Sequence, residues 1–284
     1  MASTCTICLT CDVDAFSPTL FRGGVDSAAL SRGEFDTRVA VPRLIELFAD
    51  LGAPATFFVP GHTAICFPDE VRAITAAGHE VGHHGFLHEP PAEVTPKEEE
   101  TALDRGLEAL DAVLGVRPTG YRAPLWRPSD RTIGLLEDRG FTYDSSLMAT
   151  DVLPYYARVG DEVTADGARW GPTSSIVEVP GSWTFDDWGY FANVIRPGGG
   201  GQAPPSHVLE IWSEVVAFAR ESVEDAVVVF TMHPQVSGQG HVLRMLRRLL
   251  EPLAGASDVR FSSMRDAADA WRARQVAKLR AAGA

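Results

Sequence analysis

The sequence predicts an α/β fold in which helices cover parallel strands, arranged as one domain over residues 1–284. Three observations carry that prediction. Strand and helix signals alternate along the chain, the pattern of βα units. Neither an internal repeat nor a linker interrupts the alternation. Asp, His and Arg residues recur where strand signals end, as they do in a parallel barrel whose active site lies at the carboxyl ends of its strands.

The elements follow in order. Residues 5–10 (CTICLT) are apolar and β-prone, and read as a buried strand. The spacing Cys5-x2-Cys8-x2-Cys11 invites a metal or iron–sulfur reading. Strand alternation, however, turns Cys8 away from Cys5 and Cys11, so small buried thiols in a core strand explain it better. Residues 37–51 carry Val39, Val41, Leu44, Ile45, Phe48 and Leu51 near helical spacing, with Gly52 as the stop. ATFFV (55–59) is a strand, 68–77 a short helix stopped by Gly78, and HEVGHH a strand running into a loop. Thr95-Pro96-Lys97-Glu98 is a capping box with proline at the first helical position. It opens a helix through Leu103, Leu107, Leu110 and Leu114 that Gly115 ends. A short strand at 120–123, a helix from Ser129 to Gly140 and a strand at 141–144 come next. Residues 147–205 are irregular and rich in glycine and aromatics, with a strand at 176–179. Within them, Gly198–Gly201 lacks the lysine of a phosphate loop and reads as a flexible loop. A helix (206–221), the strand AVVVFTM (226–232), a helix (241–253), the strand VRFSS (259–263) and a final helix close the chain. No G-x-G-x-x-G opens the first helix, which argues against a nucleotide-binding Rossmann domain.

Composition narrows the function. The 284 residues, 45% of them hydrophobic, suffice for a sizeable core. A net charge of −13 repels nucleic acid and anionic membrane, so neither is expected as a partner. Arg244, Arg247 and Arg248 read as the solvated face of a helix. No apolar stretch approaches the roughly 18 residues of a membrane span. The opening MASTCTICLTCDVDAF lacks a basic region followed by a long apolar run. The expected location is the cytoplasm and the expected partner a small-molecule substrate.

The candidate chemistry sits at the strand ends. Asp12 and Asp14 follow the first strand. Two close carboxylates repel, and a metal or a catalytic proton relieves the repulsion; a turn using Asp to cap its backbone is the simpler alternative. His84 and His88 stand four apart, a spacing that puts both imidazoles on one side of a turn, and neutral imidazole suits zinc and similar ions. His79 and His83 read as structural. Arg122 follows another strand in GYRAPLW, where a surface ion pair is the ordinary role. Asp144 ends the strand before SSL and, with Leu125, is counted among the substrate-binding candidates. His233 leaves the strand VVVFTM, and reads either as structural or as a general acid with a pKa near operating pH. Trp126, Trp183, Asp187 and Trp188 are candidates for a substrate pocket, with core packing the alternative for each tryptophan. Each signal is ambiguous alone; their delivery from several different strand ends is not.

In this order, Asp12-x-Asp14, His84-x3-His88, Arg122-x-Pro124, Asp144 and a strand ending in His233 resemble the polysaccharide deacetylase (NodB-homology) family over nearly the whole chain. The segments SRGEF (31–35), ATFFVPGH (55–62), GHEVGHHGFLHE (78–89), PTGYRAP (118–124), YDSSLM (143–148) and SWTFDD (182–187) are similar to its intracellular branch. That branch includes the peptidoglycan-deacetylase-like protein of Helicobacter and, more distantly, allantoinase-like and cyclic-imide hydrolases. The resemblance implies a distorted (β/α) barrel with about seven parallel strands. It implies one divalent ion, zinc by default with cobalt, manganese or iron as alternatives, held by Asp14, His84 and His88. It makes Asp12 the unligated base, oriented by Arg122, and His233 the acid. A backbone N–H near Leu125 would face the oxyanion. The family's first motif commonly has adjacent aspartates, whereas Val13 separates them here; the D-x-D form of the intracellular branch assigns Asp14 to the metal. The branch also implies a homo-oligomer, with a tetramer favoured.

The expected function is hydrolysis of a non-peptide C–N bond, first as deacetylation of an N-acetylated sugar or small acetamide. Ring opening of a cyclic imide or ureide uses the same residues. A metal-binding protein without catalysis is the reading from another class, and the joint presence of base, acid and orienting arginine argues against it.

Overall fold

The computed structural model describes residues 4–115, 117–192 and 202–282; the glycine run 198–201 lies outside them. Eleven strands are described: β1 (Cys5–Asp12), β2 (Ala55–Val59), β3 (Glu80–His83), β4 (Gly120–Tyr121), β5 (Tyr143–Asp144), β6 (Tyr155–Arg158), β7 (Glu162–Thr164), β8 (Gly167–Arg169), β9 (Thr173–Glu178), β10 (Val227–Met232) and β11 (Val259–Phe261). The main sheet runs β10-β1-β2-β3-β4-β5-β9-β6, with β11 paired to the start of β1 beside β2. Every pairing from β10 to β9 is parallel, so seven parallel strands line that path, and β6 joins antiparallel at its end. An isolated parallel bridge between Asp186 and Thr231 brings the chain after β9 to the far edge of β10. The sheet is thus curled toward a barrel, closed there by one bridge instead of a full strand.

Alternation along the strands sorts the side chains. Cys5, Ile7, Leu9 and Cys11 of β1 pack with the covering helices, together with Phe57, Val59, Val228 and Phe230. Cys8 faces the other way and packs inside the curl with Phe58, Tyr143, Val177, Val227, Val229 and Met264. The four cysteines are free, and the three in β1 divide between the faces as a core strand requires.

Local sequence accounts for most of the helices. Thr95 and Glu98 form both halves of the capping box that opens Pro96–Leu114, and Gly115 ends it at φ 71°, with its N–H on the Asp111 carbonyl. The helix expected at 37–51 is longer. An α-helix from Ser27 to Phe35, capped by Asp26, runs through a π turn (Asp36–Ala40) into Val41–Asp50. Gly33 lets the turn at Ala15 and Phe16 pack closely on this helix: a Cβ there would stand 2.6 Å from the Phe16 ring. A helix at Gly61–Cys66 was not expected either. The described parts of the segment 147–205, residues 147–192 and 202–205, are more ordered than their composition suggested. They hold β6, the exposed β7–β8 hairpin, a longer β9 and a short helix at Trp188–Phe191. Short antiparallel strands with one buried residue in β6 and none in β7 or β8 carry too little apolar pattern to be seen in the sequence.

Candidate active site

The carboxyl ends of β1, β3, β4 and β10 meet on one side of the sheet. Asp12 ends β1 and Asp14 follows it; His84 follows β3; Arg122 follows β4; His233 follows β10. The turns there are unusual. Five described non-glycine residues have positive φ, and four of them, Ala15, His88, Leu125 and Trp126, lie in these turns. Such conformations cost energy and concentrate at functional sites. The Ala15 turn is held by the buried carboxylate of Asp36, which accepts the Ala15 N–H at 2.7 Å.

At the centre stands Asp14. Nε2 of His84 and Nε2 of His88 each lie 3.6 Å from its Oδ1. That oxygen is buried and has no hydrogen-bond donor among the described residues. The Nδ1–H of His84 donates to the Arg122 carbonyl at 2.7 Å, which leaves the lone pair of Nε2 facing Asp14. Burial pushes both imidazoles below the ordinary histidine value, His88 strongly so, and keeps them in the neutral, ligating form. Burial pushes the Asp14 carboxyl up to about 7, against the nearby His233 and with the Asp12 and Asp186 carboxylates adding to it. A cation beside Oδ1 would reverse that penalty. Tetrahedral zinc with bonds of about 2.0–2.1 Å sets its ligands roughly 3.3 Å apart, close to the separations here. The donor set therefore fits a divalent ion.

Two charged pairs flank this trio. Arg122 is fully buried, over the Phe58 ring with its Cζ 4.3 Å from the centroid. Its Nη1 donates to Asp12 Oδ1 at 2.7 Å and to Thr10 Oγ1 at 2.9 Å, and its Nη2 to Ser145 Oγ at 3.1 Å. Burial acts to raise the Asp12 carboxyl, but Arg122, helped by His84 and His233, outweighs it and holds Asp12 below the usual carboxylate value. On the other side, Nδ1 of His233 donates to Asp187 Oδ1 at 2.8 Å, while Asp187 Oδ2 accepts the His233 N–H and the Ser237 hydroxyl. Burial opposes a charge on His233, yet the Asp187 hydrogen bond and the carboxylates of Asp186 and Asp14 lift its pKa well above the ordinary value.

The remaining expected residues divide. Leu125, Trp183 and Trp188 are 40%, 60% and 42% exposed. Trp126 meets Trp183 edge-on at 4.7 Å, and Trp188 meets the His233 ring edge-on at 5.1 Å, so the three tryptophans and Leu125 rim the site. Asp187, expected in the pocket, is fully buried behind His233. Asp144 is fully buried and turned to Ser146 and Glu178. Sequence reasoning missed Asp186, Ser145 and Thr10. The first could have been found from the doublet Asp186-Asp187 before Trp188; the other two carry no signal apart from their register on the strands.

A polysaccharide deacetylase family model matches residues 33–143. The peptidoglycan deacetylase of Helicobacter pylori is 35% identical over 283 residues, covering 95% of this chain and 97% of that protein. A crystal structure assigned as a polysaccharide deacetylase from Mycobacterium smegmatis superposes with a TM-score of 0.83 at 36% identity, over 97% of this chain and 92% of that one. PuuE allantoinase shares the fold, with a TM-score of 0.79 at 21% identity over 96% and 91% of the two chains. With a curled parallel sheet, the ordered strand-end residues and a full-length relative at this identity, the chain belongs to the polysaccharide deacetylase family.

Proposed function

We propose that the chain is a metal-dependent hydrolase that removes the acetyl group from an N-acetylated sugar or another small acetamide. The observation that carries this reading is the placement of three buried ligand atoms, on Asp14, His84 and His88, between an Asp12–Arg122 pair and a His233–Asp187 pair. When bound, a divalent ion would supply Lewis acidity that polarises the amide carbonyl and acidifies water; zinc is the default, and cobalt, manganese or iron(II) suit the same donors.

The protein's own groups do the rest. Asp12, kept as a carboxylate by Arg122, accepts the proton of the attacking water. The backbone N–H at Leu125 donates to the oxygen on which negative charge develops. His233, kept as an imidazolium by Asp187 and Asp186, gives its proton to the departing nitrogen. Acid catalysis of this kind contributes roughly 10²–10⁴-fold, because an unprotonated amide anion leaves poorly. Trp126, Trp183 and Trp188 offer apolar faces at the rim.

No helix among the described residues is long and apolar enough to cross a membrane. We place the protein in the cytoplasm, where its free thiols stay reduced, and read it as a homo-oligomer, a tetramer first. The test is a panel of N-acetyl sugars, hydantoin, succinimide and allantoin on zinc- or cobalt-loaded enzyme. Acetate release from an N-acetyl sugar supports deacetylation. Turnover confined to the ring compounds would replace it with imide or ureide hydrolysis, and turnover of none would leave a metal-binding protein.

A further inference from the structure

Asp144 and Glu178 are paired in register at the ends of β5 and β9. Both are fully buried, and their carboxyl groups are within hydrogen-bonding reach of each other. Their neighbours Tyr143, Val177 and Val179 point into the curl, so the two carboxyls share the opposite face. Each has one oxygen committed to a donor. Asp144 Oδ1 accepts the Ser146 hydroxyl at 2.6 Å, and Glu178 Oε1 accepts the N–H groups of Ser146 and Leu147 at 2.9 and 3.0 Å. The other two oxygens, Asp144 Oδ2 and Glu178 Oε2, are buried and take no N–H or O–H donor from the described residues. Two carboxylates in direct register without a cation repel, and in a buried place both cannot stay ionised.

We propose that Asp144 and Glu178 share one proton between these two oxygens and that the pair acts as a positioning unit for the catalytic strap 122–126. The connection is short. The pair fixes the turn 145–147; Ser146 Oγ accepts the Ala123 N–H at 2.8 Å, and Ser145 Oγ accepts from Arg122 at 3.1 Å. The turn thus carries both the arginine that orients Asp12 and the backbone that leads to Leu125. Burial lifts both carboxyls above their ordinary values, which agrees with one retained proton. Neither residue touches the reacting atoms. The catalytic part of the proposal rests on the deacetylase reading; the shared proton does not.

Fixed acceptor roles make the test sharp. In Glu178→Gln or Asp144→Asn, the new NH2 takes the place of the proton-bearing oxygen and donates to the remaining carboxylate, so each single variant keeps the pair. In the double variant two NH2 groups face each other and the pair fails. Infrared difference spectra at neutral pH should show one protonated-carboxyl band lost in both single variants, a subtraction that isolates the pair from other buried acids. The double variant should unfold at a lower denaturant concentration than the two single shifts add up to. With an N-acetylglucosamine oligomer as substrate, Glu178→Gln should keep kcat within about threefold, whereas Glu178→Ala should lose roughly 10²-fold in kcat with little change in KM, as displaced catalytic groups do. Gln as harmful as Ala, an additive double variant, or no lost band would each overturn the proposal. A wild-type enzyme inactive on acetamides defeats the deacetylase reading instead. The infrared and unfolding arms then still decide the proton, and a crystal structure of Glu178→Ala with turn 145–147 and Arg122 unmoved would overturn the positioning.

Discussion

Arg122 is a cation with no exposed surface, and its fork is divided among Asp12, Thr10 and Ser145. An ammonium cannot reproduce that planar, multi-directional donation. Arg122→Lys is therefore expected to cost roughly 10²-fold in kcat despite retained charge, because the base loses its fixed orientation; steady-state kinetics on an N-acetyl sugar would show it. Asp12→Asn should keep the metal and abolish turnover, since an amide preserves shape but cannot accept the water proton. If Asp12→Asn strips the metal while Asp14→Asn keeps it, the two carboxylates are assigned the wrong way round. His233 is held protonated above the ordinary histidine value, so activity should persist through neutral pH and fall as pH rises through that elevated pKa. Asp187→Asn removes the largest contribution that raises it, and should move the alkaline limb of kcat/KM to lower pH; an unmoved limb would mean that His233 is not the group seen. His233→Ala should hurt a plain acetamide more than an activated anilide, whose nitrogen leaves with less help. At this scale the sequence was informative where motifs span strand ends. It was uninformative for Ser145 and Thr10, whose parts depend on which neighbouring strand lies beside them.

The elements were legible to the degree that burial patterned them. β1, β2 and β10 are buried along their whole length and stand out as apolar runs, and the helix Pro96–Leu114 announces both its ends. β4 and β5 are two residues long and defined by pairing alone. Here close packing leaves its mark in glycines. A Cβ on Gly120 would fall 1.9 Å from Tyr143, and one on Gly106 would fall 2.2 Å from His83 Nε2. Gly106 lies inside the helix Pro96–Leu114, where alanine ordinarily stabilises by about 1 kcal/mol. At this position Gly106→Ala should instead destabilise, because His83 is fixed by the Leu103 carbonyl at 3.0 Å and the Gly85 N–H at 3.1 Å. Urea unfolding of Gly106→Ala gives the sign directly, and a gain in stability would show that His83 can yield.

The whole molecule presents one face of convergent strand ends on a chain with a net charge of −13. That charge disfavours polyanionic ligands, whereas an N-acetyl sugar carries none. Val163 in the exposed β7–β8 hairpin and Trp170 just after it, 74% and 64% exposed, supply apolar surface. An oligomer, a tetramer first, is the expected state, and light scattering at micromolar concentration giving the mass of one chain would refute it. The most direct measurement is the divalent-metal content of purified protein. Elemental analysis should give close to one ion per chain in the wild type and a large loss in both His84→Ala and His88→Ala, whereas unchanged metal in both variants would remove Asp14, His84 and His88 from the site.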